Sequence, residues 1–220
     1  MTANPAHFAS EHGDRPRILR RLTFDELCAM SHYGADVIQA EAARLARRYG
    51  IAVVVRNYRN SDDPGTLIDA EPCGAACAAT GVADMPSMTV FRLGDPSERT
   101  GRRVSELLAQ ARLNYQALPD PRGGWTFAVK REKYRDVAET VQASLSGHGS
   151  APEFADGQWA LVTLVGEGLR DRVADIAAQA VDVLAGAGVT VEGDIRDTLS
   201  YAVLVPEAQR RQAILSLHGA

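Results

Sequence analysis

From residue 87 onward the chain runs through one pattern twice: strand, helix, two strands, helix. In the first copy Ser87–Leu93 reads as a strand and Gly94-Asp95-Pro96-Ser97 as a turn. Arg99–Ala111 follows as a helix with Val104, Leu107, Leu108 and Ala111 inward. Asn114–Leu118 and Trp125–Lys130 read as strands around a Pro119–Gly124 turn, and Tyr134–Leu145 as a second helix. The second copy repeats the order with Gln158–Val165, Val173–Ala187, Val189–Gly193, Ser200–Val205 and Glu207–His218. Two repeats of roughly 70 residues with right-handed crossovers give each copy a helix layer on a small antiparallel sheet. The fold class is therefore α+β. Ser146–Asp156, rich in Ser, Gly and Pro, reads as the linker between them.

Composition narrows the function classes. The net charge of −4 gives no footprint for nucleic acid or an anionic membrane surface. No apolar run approaches the ~18 residues a bilayer span needs. The N-terminal stretch MTANPAHFASEHGDRPR lacks the apolar core of a secretory signal, and residues 1–13 are expected to form a disordered arm. Three cysteines, an odd number, point to a reducing compartment, so a cytoplasmic location is expected. Cys73 and Cys77 have no second pair or histidine nearby to complete a tetrahedral site, and the five histidines are scattered. No metal and no cofactor is expected.

A distinct unit, residues 14–71, precedes the repeats. Thr23 is an N-cap with Glu26 three residues on, a capping box for the turn Phe24–Met30. A helix over Ala35–Tyr49 carries an apolar stripe of Val37, Ile38, Ala42, Leu45 and Ala46, and Gly50 ends it. The β-branched run Ile51–Val55 predicts a strand covered on both faces, and Asp63-Pro64-Gly65 a turn. With Leu22-Thr23-Phe24-Asp25-Glu26, Gly34-Ala35, Ala46-Arg47-Arg48-Tyr49 and Pro64-Gly65-Thr66 in this order, the stretch resembles the closing segment of the amino-acid kinase domain of aspartate kinase (aspartokinase).

The resemblance continues in the expected order. Thr80-Gly81-Val82-Ala83 matches the family's strand before its tandem ACT domains, and Val162–Leu169 matches the opening of the second one. It implies an α+β chain in which a remnant of an amino-acid kinase α/β sandwich is followed by two ferredoxin-like (βαββαβ) ACT domains, at 78–146 and 157–220. The second copy ends after its second helix, so its fourth, edge strand is expected from 78–83, which closes an open sheet edge. The family keeps its phosphate-binding Lys-x-Gly-Gly strand and catalytic acids upstream, whereas here Met1 stands shortly before the match. Asp36 and Gln39 occupy positions where the family has Lys and His. A carboxylate facing phosphate opposes binding, so the chain alone is expected to lack kinase activity.

What the resemblance implies instead is amino-acid sensing. The turn from first strand to first helix offers N–H groups suited to a carboxylate. The effector-binding candidates are Asp95, Ser97, Glu98, Arg99, Asn114, Tyr115 and Gln116; Asp95 and Asn114 match the family's pattern, and Tyr115 replaces an aliphatic residue. The second copy departs further, with Asp197–Ala202 in place of the family's motif. A plainer alternative is that both units pack a dimer and bind nothing. A third is a reaction newly acquired by Asp95, Arg99, Tyr115 and Trp125. The expected role is a non-catalytic regulatory protein that binds an amino-acid effector or a partner enzyme. The alternative is the small chain of a two-chain aspartate kinase (ATP and L-aspartate to 4-phospho-L-aspartate). Partners would be the effector, a second copy through the ACT domains and a separate kinase chain, with no nucleic acid and no membrane. The edges of Ser87–Leu93 and Gln158–Val165 are where the homodimer is expected.

Overall fold

The N-terminal unit is a small layered structure built around its capping box. The computed structural model describes residues 19–219 apart from 36, 37, 39, 61, 73–78, 95, 96, 112, 120–122, 146–151, 155 and 156. Strand β1 (Arg21–Thr23) runs straight into helix α1 (Phe24–His32). The Thr23 hydroxyl accepts the Glu26 N–H at 3.0 Å while the Glu26 carboxylate accepts the Thr23 N–H at 2.9 Å, so two of the helix's orphan donors are satisfied. Helix α2 (Ala40–Tyr49) ends at Gly50, which takes φ +63, a conformation that favours glycine. Strands β2 (Val53–Val55) and β3 (Thr66–Asp69) complete a three-stranded sheet in the order β1-β3-β2, with β1 parallel to β3. Arg21 grips Asp69 across that pair, and Asp63 accepts the Gly65 N–H at 2.8 Å. The Arg21 hydrogen bond holds the Asp69 carboxyl below its usual range, and the Gly65 N–H, then Arg20, does the same for Asp63.

Two expectations for this unit fail. Val53–Val55 is an edge strand with Val54 54% exposed, not a strand covered on both faces. A β-branched run reports the preference for a pleated backbone but not what lies above it. Of the expected stripe, Ile38 and Ala46 pack half-buried against the core beside the buried Ala43, whereas Ala42 and Leu45 are exposed, Leu45 by 58%, and Val37 lies outside the described residues.

The repeats share one sheet. Strand β4 (Gly81–Leu93) joins the segment Gly81–Ala83 to Ser87–Leu93 without interruption. Its first half pairs antiparallel with β8 (Trp159–Val165), and its second half with β6 (Trp125–Lys130). The strand tolerates Pro86 because the ladder to β8 is irregular between Met85 and Met88, where Ser87 takes φ 57. Strand β5 (Tyr115–Pro119), the short β7 (Glu153–Phe154), β9 (Gly193–Arg196) and β10 (Ser200–Pro206) complete seven strands. The path is β5-β6-β4-β8-β10-β9, with β7 beside β4. The sheet curls until its outer strands meet, a Cβ at Gly193 of β9 falling 3.3 Å from Leu118 of β5.

Helices α3 (Glu98–Gln110) and α4 (Tyr134–Leu145) belong to the first repeat, α5 (Val173–Gly186) and α6 (Arg210–His218) to the second. Between them and the sheet lie two cores. One gathers Phe91, Val104, Leu108, Phe127 and Val137, the other Val162, Ile176, Leu184, Tyr201 and Val203. The opposite face of the sheet carries a third core. There Met88, Val90 and Leu118 of the first repeat and Leu161 and Leu204 of the second meet Leu22, Phe24, Leu27 and Met30 of the N-terminal unit. Helix α1 therefore lies on a face to which both repeats contribute.

Three further corrections follow. Neither Ser87–Leu93 nor Trp159–Val165 has a free edge, since each is paired on both sides within the chain. Strand β7 falls inside the expected linker and adds to the first repeat, beyond residue 146. The strand expected at Val189–Gly193 begins at Gly193.

Candidate functional site

The start of α3 is fixed by a cap and an indole. Ser97 is the N-cap, its side chain accepting the Thr100 N–H at 3.3 Å. Trp125, at the start of β6, donates from Nε1 to the Ser97 carbonyl at 3.3 Å. Its ring lies so close to the helix that a Cβ on Gly101 would come within 2.4 Å of Cε2. Glycine is required there by close approach. Trp125 in turn leans on Phe127, which stacks on Phe91 at 5.1 Å and meets Tyr115 at 6.0 Å. This cluster gives Trp125 and Tyr115 packing roles, and nothing in it resembles a nucleophile beside a base.

Outward from the cap, Glu98, Arg99, Arg102, Arg103 and Glu106 line a shallow, open groove of about 470 Å³. Guanidinium groups beside carboxylates can take both ends of a zwitterion, a carboxylate on arginine and an ammonium on glutamate. Of the sequence candidates, Glu98 and Arg99 line the groove and Ser97 caps the helix beside it, while Asp95 lies outside the described residues. Asn114 is exposed just before β5, and Tyr115 is half-buried on the helix side of the sheet. Gln116 points the other way. It is buried on the opposite face and its amide Nε2 donates to His32 Nε2 at 2.8 Å. It therefore belongs to the contact between β5 and α1.

The equivalent turn of the second repeat, Gly166–Leu169, is engaged from within the chain. The Glu167 N–H donates to Glu26 Oε1 at 3.1 Å, and the Thr80 hydroxyl donates to the same oxygen. Thr23 Oγ1 donates to Glu167 Oε1 at 3.2 Å, and Arg170 Nε to Glu167 Oε2 at 3.0 Å. Glu26 is only 2% exposed. Its capping role is legible in sequence; its reach across 141 positions to Glu167 is not.

Other reactive groups are muted. Burial pushes the Cys28 thiol up, which leaves little thiolate at neutral pH. Burial, with Asp194 adding, pushes Tyr201 up to about 12, so that phenol stays neutral. Among the described residues no group of three His, Cys, Asp or Glu could hold a metal, and no helix is long and apolar enough to cross a membrane.

No family model matches the chain. An aspartokinase of Mycolicibacterium smegmatis is 27% identical over 217 residues, which is 93% of this chain and 51% of that protein. The chain is related to the aspartokinases. It spans about half the length of the curated relatives it matches, and the matched half is their C-terminal part. E. coli aspartokinase III, solved with aspartate and ADP, superposes with a TM-score of 0.76 at 18% identity, covering 99% of this chain and 48% of that one. The same enzyme solved with lysine and aspartate gives 0.71 at 20%, over 93% and 46%. The regulatory subunit of aspartate kinase from Thermus thermophilus gives 0.57 at 22%, over 66% of this chain and 98% of that one. The fold is thus that of the aspartokinase regulatory end: a kinase-type layer followed by two ACT-type units.

Proposed function

We propose that this chain is a regulatory module of an aspartate kinase, which takes an amino-acid effector at the start of α3 and passes its presence to a kinase chain. The observation that carries the reading is the mixed-charge groove along the exposed face of the first two turns of α3, on a helix whose start is fixed by the Ser97 cap and the Trp125–Gly101 packing. The carboxylate would lie on Arg99 and the N–H groups at the helix start, and the ammonium on Glu98. Asp95 and Asn114, flanking the helix in sequence, are proposed as the remaining contacts. Lysine is the first amino acid to try, because E. coli aspartokinase III has been solved with it.

A thermal-shift screen of the twenty amino acids tests this. One or two of them at ~100 times Kd should stabilise by about 2.7 kcal/mol, which is several degrees for a chain of this size. A flat screen would remove the sensing role and leave a scaffold.

The reading as the small chain of a two-chain aspartate kinase has its own support. Leu45, Tyr49, Ile51, Val54 and Tyr58 of the kinase-type layer are all exposed, Tyr58 by 85%. Large apolar groups exposed on one small unit are what a second protein body would bury on docking there. A kinase-type layer is the natural partner. A homodimer, where it forms, is proposed to use this surface, since β4 and β8 have no free edge. Light scattering on the chain alone and with a kinase chain would show this, and an unchanged monomer in both cases would rule it out.

A further inference from the structure

The second repeat's strand-to-helix turn already holds a carboxylate, and that carboxylate is part of the chain. We propose that Glu26 is a tethered ligand of this turn. It occupies a small carboxylate site made by the Glu167 N–H, the Thr80 hydroxyl and the Thr23 N–H, and so locks α1 onto the second repeat. Given the effector reading above, on which this clause rests, the first repeat's turn is then the one open to a free amino acid.

The argument is one of donor counting. Glu26 Oε1 accepts from Glu167 N–H (3.1 Å) and from the Thr80 hydroxyl, and Oε2 accepts from Thr23 N–H (2.9 Å). Both oxygens accept, all three partners donate, and none of the three is a charged side chain. The residue is almost fully buried. A carboxylate removed from water is stable only when it is hydrogen-bonded on both oxygens, and this set supplies three donors from three separate segments. Thr80 is itself held in place, its N–H donating to the Val165 carbonyl at 2.7 Å at the end of β8. Thr23 Oγ1, having accepted the Glu26 N–H, donates onward to the Glu167 carboxylate. The two glutamates are thereby exchanged between segments: each binds a group of the other's turn.

A capping box alone would ask less. It is served as well by glutamine as by glutamate, because one acceptor oxygen reaching back to the N-cap is enough. The tethered site is not, because a glutamine amide must turn its NH₂ toward one of three donors. The two roles therefore predict different outcomes for one substitution.

The test uses the full chain and needs no effector, so it fails or succeeds independently of the sensing role. Glu26→Gln should lower Tm by roughly 4–12 °C, and amide exchange in the peptide spanning 166–169 should quicken. Glu26→Ala removes an acetate-sized fragment. Acetate, at ionic strength matched with sodium chloride, should raise the Tm of that variant by roughly 2–5 °C and leave the wild type unmoved. Thr80→Val should weaken the same site, and the double change with Glu26→Gln should cost less than the sum of the two, as for groups sharing one contact. A Glu26→Gln chain within about 1 °C of wild type with unchanged exchange at 166–169 would overturn the proposal and leave Glu26 as a cap. So would additive costs for Glu26→Gln and Thr80→Val. If Glu26→Ala does not fold, the glutamine variant and the cycle decide alone.

Discussion

Truncating Phe127 to alanine should lower stability by about 3–5 kcal/mol, the cost of removing a large aromatic from a filled core. Phe127 has no exposed surface, stacks on Phe91, and is the ring on which both Trp125 and Tyr115 lean. Its loss therefore reaches the candidate site from two sides. Trp125 would lose the support that holds its indole over Gly101 and its Nε1–H on the Ser97 carbonyl. Tyr115 would lose its anchor on β5. Urea unfolding should show a lower midpoint with an unchanged slope, and calorimetry with an effector should show weaker binding in whatever fraction remains folded. Phe127→Leu, which keeps most of the volume, should cost less than half as much. A Phe127→Ala chain that loses under 1 kcal/mol would mean that the aromatic cluster does not support the start of α3.

How much of this was legible in sequence depended on how local the cause is. The capping box at Thr23 and Glu26, the Asp63–Gly65 turn and the Ser200–Pro206 and Trp125–Lys130 strands are set by residues a few positions apart, and sequence reading finds them. The two-residue strand β7 is too short to leave a periodic trace, so the linker reading absorbed it. Thr80–Ala83 and Ser87–Leu93 read as separate strands, because the irregularity at Met85–Met88 that joins them into one depends on β8, more than seventy positions away. Val53–Val55 showed the right backbone and the wrong environment, since exposure is decided by what packs above.

The candidate site divides in the same way. Ser97, Glu98 and Arg99 share one helix start and are readable together. Tyr115 and Gln116 were assigned to one pocket, although adjacent residues of a strand point to opposite faces. Period-two alternation alone should have separated them, and the structure sends Gln116 to His32. The contact of Glu26 with Glu167 had no sequence signal at all. It exists because the N-terminal unit is folded back on the sheet face opposite the four repeat helices. That arrangement also puts α1 against both repeats at once: His32 meets Gln116 of the first, while the Thr23–Glu26 cap meets Glu167 of the second.

Reversing the charge of Arg99 should have the largest effect on ligand affinity. Arg99 sits in the first turn of α3, lines the groove with Glu98, Arg102, Arg103 and Glu106, and lies on the surface, so its replacement leaves the core intact. A charge-assisted hydrogen bond to an effector carboxylate is worth ~1.5–3 kcal/mol. Arg99→Ala should then weaken binding by roughly ten- to a hundredfold. Arg99→Glu should do more, because it sets a like charge against the carboxylate as well as removing the partner. Thermal midpoints of both variants without ligand should stay within a degree or two of wild type, as expected for an exposed side chain outside the core. The loss should also shrink as salt rises, because the groove is open and its charges are screened over about 8 Å at physiological ionic strength. Arg103→Ala, farther along the helix, should cost less than Arg99→Ala. Calorimetry of the three variants with the amino acid found in the screen measures the order directly. Equal affinity for Arg99→Glu and wild type would place the ligand away from this helix start, and the mixed-charge groove would then be no more than a solvated helix face.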